Sequence, residues 1–111
     1  MSRDDDADFD LDVEVIAELY DVIESRREAS PEESYTAVLL DDVDNVLEKI
    51  GEESTEVVLA AKDDDPEALA HESADLVYHL LVLMAATDVG FEATLDTLRD
   101  RRESERRETG S

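Results

Sequence analysis

Residues 63–90 read DDDPEALAHESADLVYHLLVLMAATDVG, and this stretch decides the fold. Asp65 is a favourable N-cap residue, and Pro66 at the first helical position lacks an N–H that would be unpaired there. The sequence therefore predicts a helix that begins at Pro66, runs to about Thr87 and stops at Gly90.

This predicted helix is apolar almost all round between residues 76 and 86, and such a helix must be covered on several sides. One protomer of 111 residues buries only a modest core. We therefore expect a homodimer whose protomers pack into a helical bundle. The same apolar run is interrupted by His79 and is too short to span a bilayer.

Helical spacing continues on both sides of this stretch. A first helix is predicted from Leu11, fading near Arg27, and a loop is predicted over residues 28–35. A short helical turn is expected over 36–40, a long helix over about 42–62, and a final helix from Phe91 that frays into the charged C-terminus. The long helix is predicted to carry six residues near one line along its surface: Val43, Leu47, Ile50, Ser54, Val57 and Ala61.

Gly51 interrupts the long helix, where a glycine costs about 1 kcal/mol. We therefore expect close approach of backbone or ligand at Gly51. No strand-like alternation occurs, so the fold class is all-α with four to five helices. We expect one domain over residues 11–103, with an acidic flexible tail at 1–10 and a charged tail at 104–111.

The charge balance is extreme, with 33 acidic and 10 basic side chains and a formal net charge of −23. A nucleic-acid or anionic-membrane partner requires a basic face, so neither is expected. Lysine is almost absent, and the excess acid indicates a cytoplasmic protein from a salt-loving organism. There is no cysteine, which excludes a disulfide framework and a thiolate nucleophile.

Two acidic pairs lie on neighbouring predicted helices, Glu53 with Glu56 and Glu72 with Asp75. Residues three apart share a helix face, and a tight turn between the helices can bring the pairs together. Many acid pairs at this spacing arise by chance in so acidic a chain, and most of those are solvated. Glu72 and Asp75, however, are the only acids between residues 68 and 87. Four converging carboxylates on the flanks of apolar stripes favour a site for Mg²⁺, with Mn²⁺ as an alternative.

Three blocks resemble a known family: SYTAVLL (34–40), KIGEESTEVVLAAK (49–62) and ADLVYHLLVL (74–83). GEESTEVVLAAK followed by HESADLVYHLLVL is similar to the EExxE…ExxD signature of the all-α NTP pyrophosphatases, the MazG-like superfamily. The three blocks together resemble phosphoribosyl-ATP pyrophosphatase, the second enzyme of histidine biosynthesis, over about residues 19–102. Val38 departs from the family pattern, which has a basic residue there.

The resemblance implies a MazG-like helical bundle completed by dimerisation. It also implies hydrolysis of phosphoribosyl-ATP to phosphoribosyl-AMP and pyrophosphate. It assigns metal ligation to four carboxylates, a catalytic role to two glutamates, and substrate contacts to five further residues. The metal ligands would be Glu53, Glu56, Glu72 and Asp75. The catalytic residues would be Glu53 and Glu52, with Glu52 either supporting a metal ligand or orienting the attacking water as a base. The substrate contacts would be Lys62, Lys49, Ser34, Tyr35 and Thr36.

Several alternatives stay open on the sequence alone. The protein could be a house-cleaning pyrophosphohydrolase of ordinary or damaged nucleoside triphosphates, or a non-enzymatic acidic helical dimerisation module. Lys49 could serve as a simple ion-pair partner, and Ser34 to Thr36 as plain N-cap chemistry. His79 is expected to be a satisfied core residue rather than a ligand, and the arginines between 99 and 107 a solvated, ion-paired helix end.

Overall fold

The computed structural model describes residues 13–108, so the acidic segment expected to form a tail at 1–10 lies outside the described residues. These residues form five α-helices and one 3₁₀ turn, and no strand occurs among them. The all-α prediction is confirmed. The elements are α1 (Glu14–Ser25), the 3₁₀ turn (Arg26–Glu28), α2 (Tyr35–Leu40), α3 (Val43–Lys62), α4 (Pro66–Ala86) and α5 (Phe91–Glu108).

Short polar side chains start three of the helices. Ser34, Asp42 and Asp65 each accept a hydrogen bond from a backbone N–H three residues later, at 3.2, 3.2 and 3.1 Å. Each bond satisfies one of the N–H groups that a helix leaves unpaired at its start. The predicted beginning of α4 at Pro66 is confirmed.

The ends of α3 and α4 use aspartate where glycine is the common choice. Asp64 and Asp88 adopt φ values of 56° and 62°. The N–H of Asp65 bonds the carbonyl of Ala60 at 3.1 Å, and the N–H of Val89 bonds the carbonyl of Met84 at 3.1 Å. These are Schellman turns. Helix α4 ends at Ala86 with Thr87 as its C-cap, which confirms the predicted end at about Thr87. The residue that stops it is Asp88, in the left-handed conformation, and not Gly90 as predicted.

We expect Asp64→Gly to stabilise the protein, since glycine adopts positive φ without the strain of a Cβ. The comparison is Asp64→Asn, which removes the same charge and keeps a side chain. The glycine variant should exceed the asparagine variant by about 0.5 kcal/mol, or roughly 2–4 °C in Tm. Equal Tm values for the two variants in thermal unfolding would show that the backbone at Asp64 carries no such strain.

The core lies where α4 packs against α3, α1 and α2, and α3 and α4 form the main helical hairpin. Its fully buried members come from all four helices: Ile23, Leu39, Val46, Leu81, Val82 and Ala85. Arg27 closes one end of this core. Its Nη2 donates to the backbone carbonyl of Ala85 at 2.6 Å and pairs with the carboxylate of Asp88. The guanidinium thereby satisfies a carbonyl that the end of α4 leaves open.

The apolar line predicted along α3 faces the core only in part, since Ile50 packs against the core and other members of the line lie at the surface. The buried residues of α3 are Val46 and Ala60, whereas Leu47 is 50% exposed and Ala61 lies at the surface. The reason is that α3 has two apolar sides, and spacing alone does not say which of them faces its own protomer. Gly51 also differs from expectation. A Cβ there would meet no atom within 4 Å, so the protomer makes no close approach at that position.

Helix α5 continues to Glu108, further than the fraying that we expected near Arg99, and none of its residues is buried. Ion pairs at i, i+3 support it, Arg99 with Asp96 at 2.6 Å and Arg106 with Glu103 at 3.6 Å. The described chain is elongated, with extents of 50 × 33 × 27 Å. Among residues 13–108, no helix is both long and apolar enough to cross a membrane.

Candidate metal centre

Three carboxylates meet in the α3–α4 hairpin. One oxygen each from Glu53, Glu72 and Asp75 lies within 4.8 Å of the other two. The convergence follows from local structure, because Glu72 and Asp75 are three apart on one face of α4 and the turn at residues 63–65 folds α3 back against that face. Each of the three residues is half-buried. The sequence predicted this convergence.

Glu53 has the least favourable environment for a negative charge among the three carboxylates. Burial raises the pKa of its carboxyl, as do a hydrogen bond with Glu72 and repulsion from Asp75, Glu72 and Glu56. Its Oε1 is buried and has no hydrogen-bond partner among the described residues. A buried carboxylate oxygen without a donor is costly, and a bound cation would remove that cost. The cluster therefore offers the oxygen ligands that a divalent cation binds, and a bound cation would offset the repulsion among its carboxylates.

The other two acids of the motif lie further out on α3. Glu56 is exposed; its charge acts on Glu53, but its oxygens are outside the group of three. Glu52 is exposed and makes no described hydrogen bond or ion pair within residues 13–108. Consecutive helical residues point about 100° apart, so Glu52 faces away from the direction of Glu53. The structure thus brings together three of the four predicted ligands and places Glu56 beside them.

The two lysines differ in position. Lys49 is half-buried and precedes Glu53 by one helical turn, about 6 Å along the axis, whereas Lys62 is exposed and follows Glu53 by about 13 Å. Neither ammonium forms an ion pair with an acid in the described part of the chain. The ion-pair interpretation of Lys49 therefore has no support among these residues, and its charge remains available beside the carboxylates.

The predicted loop contacts have structural partners. Ser34 caps α2 through the N–H of Ala37, as plain N-cap chemistry predicted, and the hydroxyl of Thr36 hydrogen-bonds the hydroxyl of Tyr78 at 2.6 Å. Tyr35 is 56% exposed. Tyr78 lies one turn after Asp75 on α4, so its bond to Thr36 holds the start of α2 next to the acidic cluster. We did not predict a role for Tyr78, although its i+3 spacing from Asp75 is visible in the sequence.

Two histidines flank the cluster. The Nε2 of His71 lies 3.4 Å from Oδ2 of Asp75, a contact at i, i+4 that sequence reasoning did not single out. His79 is 6% exposed, and its Nδ1 hydrogen-bonds the backbone carbonyl of Asp75 at 2.8 Å. The prediction that His79 is a core residue is confirmed, but the prediction that it is satisfied there is wrong, because its buried Nε2 has no hydrogen-bond partner among the described residues. His79 is not among the residues whose side-chain atoms lie close enough together to hold a metal ion.

Comparison with known proteins agrees with this geometry. A family model described as phosphoribosyl-ATP pyrophosphohydrolase matches residues 16–102. The chain is 56% identical over 91 residues to a phosphoribosyl-ATP pyrophosphatase of Halobacterium salinarum, covering 78% of this chain and 96% of that one. It is 54% identical over 92 residues to one from Haloarcula marismortui, covering 80% and 94%. It is also 53% identical over 90 residues to a histidine biosynthesis bifunctional protein of Synechocystis, covering 80% of this chain and 42% of that one.

Proposed function

The chain belongs to the phosphoribosyl-ATP pyrophosphohydrolase family, and from that premise we propose that it hydrolyses phosphoribosyl-ATP to phosphoribosyl-AMP and pyrophosphate with the help of Mg²⁺. This reaction is the second step of histidine biosynthesis in our proposal. The observation that carries the metal is the buried, unpartnered Oε1 of Glu53 inside a cluster of three carboxylates. The non-enzymatic alternative is set aside, because the family is one of hydrolases.

The residues of the cluster fit a hard divalent cation. Carboxylate oxygens are the ligands that Mg²⁺ and Mn²⁺ prefer, and an Mg²⁺ ion held by few protein ligands keeps positions for phosphate oxygens and water. The three carboxylates lie about midway along the hairpin and are half-buried. When bound, Mg²⁺ would polarise the phosphates and lower the pKa of a bound water. We propose Glu53, Glu72 and Asp75 as direct ligands. Glu56 completes the set, since its charge already acts on Glu53.

The remaining residues have roles that their positions support. Lys49, one turn from Glu53 and without an acidic partner among residues 13–108, is placed to contact a phosphate oxygen. Lys62, at the exposed end of α3, is proposed to meet the more distant part of the substrate. Glu52 stays our candidate for orienting the attacking water because of its place in the EExxE motif. Its side chain points about 100° away from that of Glu53, so it would act from beside the carboxylate cluster and not as a ligand.

The test is release of pyrophosphate from phosphoribosyl-ATP by the purified full chain with Mg²⁺, in both dilute and multimolar KCl. The comparison substrate is dATP, which a house-cleaning enzyme would hydrolyse faster. We expect phosphoribosyl-ATP to have the higher kcat/KM. Faster turnover of dATP would favour the house-cleaning alternative, and inactivity toward both in all salt conditions would reject the proposed reaction.

We further propose that the protein is a homodimer, because one protomer leaves apolar side chains of the central hairpin at its surface. These side chains are between 39% and 56% exposed and lie on α3 and α4: Leu47, Val58, Leu59, Val77 and Leu80. A helix as apolar as α4 needs cover on more than one side. A second copy that packs its hairpin against this one would supply that cover and complete a helical bundle.

Val58→Asp is expected to dissociate the dimer, since a carboxylate at an apolar interface has no partner. The matched control is Val22→Asp on α1, where valine is 46% exposed, compared with 56% for Val58. Sedimentation equilibrium should give the monomer mass for the first variant and the dimer mass for the second. A dimer that survives Val58→Asp, or a wild-type monomer, would contradict the proposed interface.

A further inference from the structure

Both histidines of the chain contact Asp75, one from each direction along α4. Nε2 of His71 lies 3.4 Å from Oδ2 of the Asp75 carboxylate, and Nδ1 of His79 lies 2.8 Å from the Asp75 backbone carbonyl. The two imidazoles differ in their access to solvent. The side chain of His71 is 72% exposed, whereas His79 is buried together with its Nε2. Of the two imidazoles, only that of His71 is therefore open to a ligand from solvent.

The distance between Nε2 of His71 and Oδ2 of Asp75 matches that between two ligands of one metal ion. Zn–N and Zn–O bonds are about 2.0–2.2 Å long, so two ligands at a tetrahedral angle lie about 3.3–3.5 Å apart. A charge-assisted hydrogen bond between the same groups would be shorter, at about 2.7–2.9 Å. The i, i+4 spacing places both side chains on one helix face, as in helical motifs that bind zinc through two ligands at this spacing.

This pair of ligands lies beside the carboxylate cluster and shares Asp75 with it. Helical residues follow each other at about 100°, so Asp75 projects about 40° from His71 and about 60° from Glu72, between the two. His71 is not one of the three residues whose ligand atoms lie within 4.8 Å of one another. A carboxylate has two oxygens and about four lone-pair positions, so Asp75 can serve an ion on each side. The side toward His71 faces solvent, where water can complete the coordination.

We propose that His71 and Asp75 form a second metal position next to the carboxylate cluster, which binds a nitrogen-preferring divalent ion such as Zn²⁺ or Co²⁺. His71 lies outside the EExxE…ExxD signature, and its imidazole suits these ions, whereas Mg²⁺ favours oxygen ligands. The formal net charge of −23 raises the local concentration of divalent cations around the protein. The proposal rests on the proposed function only in that Asp75 is shared with the Mg²⁺ cluster.

The experiment titrates the untagged, metal-free full chain with ZnCl₂ by calorimetry and with CoCl₂ by visible absorption, in slightly alkaline buffer at constant KCl. Titration of the same samples with MgCl₂ is the internal control. Loss of a group that only supports a metal ligand costs about 10- to 100-fold in affinity. His71→Gln, which removes a ligand, is therefore expected to weaken Zn²⁺ binding at least about tenfold and to leave Mg²⁺ binding unchanged. Asp75→Asn should weaken the binding of both ions.

His71→Cys tests the ligand role without removing it. Zinc binds thiolate and imidazole alike, so this variant should keep Zn²⁺ affinity within about tenfold of the wild type and well above that of His71→Gln. With Co²⁺ it should add the near-ultraviolet absorption of a cobalt–thiolate bond, which neither the wild type nor His71→Gln can give, because the chain has no cysteine.

The outcomes separate a metal ligand from a residue that only contacts Asp75. Unchanged Zn²⁺ affinity in His71→Gln, or no Zn²⁺ binding by the wild type, would overturn the second metal position. Equal losses of Zn²⁺ and Mg²⁺ affinity in His71→Gln would also overturn it, because His71 would then only position the Asp75 carboxylate. If Zn²⁺ binding depends on His71 and phosphoribosyl-ATP is not hydrolysed, the second metal position stands and the proposed reaction fails.

Discussion

Glu53→Gln is expected to lower kcat/KM for phosphoribosyl-ATP by at least about 100-fold at saturating Mg²⁺. Changes to residues that merely support a metal ligand typically cost 10- to 100-fold in affinity or activity, and Glu53 is proposed as a ligand itself. Asp75→Asn should have a similar effect. Both substitutions preserve size and hydrogen-bonding shape, so the loss would report on charge. Activity assays and Mg²⁺ titration by calorimetry should show weaker metal binding together with slower turnover.

Glu53→Gln should also stabilise the metal-free protein. The carboxyl of Glu53 has a raised pKa, so the folded state holds a proton that the unfolded state releases over part of the pH range. Stability from this group is complete below the unfolded pKa and is lost as pH rises through the folded pKa. The gain in Tm from Glu53→Gln in EDTA should therefore increase as pH rises through that window. A stabilised but inactive variant is what a metal ligand predicts, and a structural glutamate would give the opposite stability change.

Glu48→Gln provides the matched control, since Glu48 is exposed on the same helix and outside the cluster. It should retain both turnover and Mg²⁺ affinity. If Glu48→Gln were as inactive as Glu53→Gln, the effect would come from the overall charge of α3. If Glu53→Gln kept full activity, Glu53 would not be a ligand in the reaction.

The predictable part of the structure was the part governed by local chemistry. Asp65 with Pro66 determined where α4 begins, and the i, i+3 pair Glu72 and Asp75 determined one side of the acidic cluster. These features depend on residues that are neighbours along the chain. The half-burial of Glu53 also followed from its place on the flank of the apolar stripe of α3, although Glu56, expected on the same flank, is exposed.

What escaped prediction depends on contacts between distant segments. Spacing shows that α3 has apolar residues, but Val46 rather than Leu47 is buried because α4 and α2 pack on that side. The bond between Thr36 and Tyr78 joins residues 42 apart in sequence, and no local pattern marks it. Asp88 rather than Gly90 supplies the left-handed residue after α4, and its carboxylate pairs with Arg27, which lies 61 residues away.

Transfer from about 3 M to about 0.1 M KCl is expected to lower the Tm of the metal-free protein by roughly 8–16 °C. Two unit charges 10 Å apart in water repel by about 0.4 kcal/mol without salt and by about 0.15 kcal/mol at 0.1 M, so about a dozen such pairs amount to about 2 kcal/mol. The screening length grows from about 2 Å to about 10 Å over this transfer. The formal net charge of −23 leaves most acids without a cation, and acids crowd the turns, as in Asp63, Asp64 and Asp65.

Comparing two salts distinguishes charge screening from a general strengthening of apolar burial. Screening depends on ionic strength, so KCl and potassium sulfate at equal ionic strength should restore the same Tm. Burial is strengthened by sulfate more than by chloride, and would make the sulfate samples more stable. In 0.1 M KCl, millimolar Mg²⁺ should raise the Tm of the wild type more than that of Asp75→Asn, because only the wild type offers the complete cluster. A Tm that does not change between the two salt concentrations would mean that repulsion among the surface acids contributes little, and that their abundance must be explained by something other than a high-salt cytoplasm.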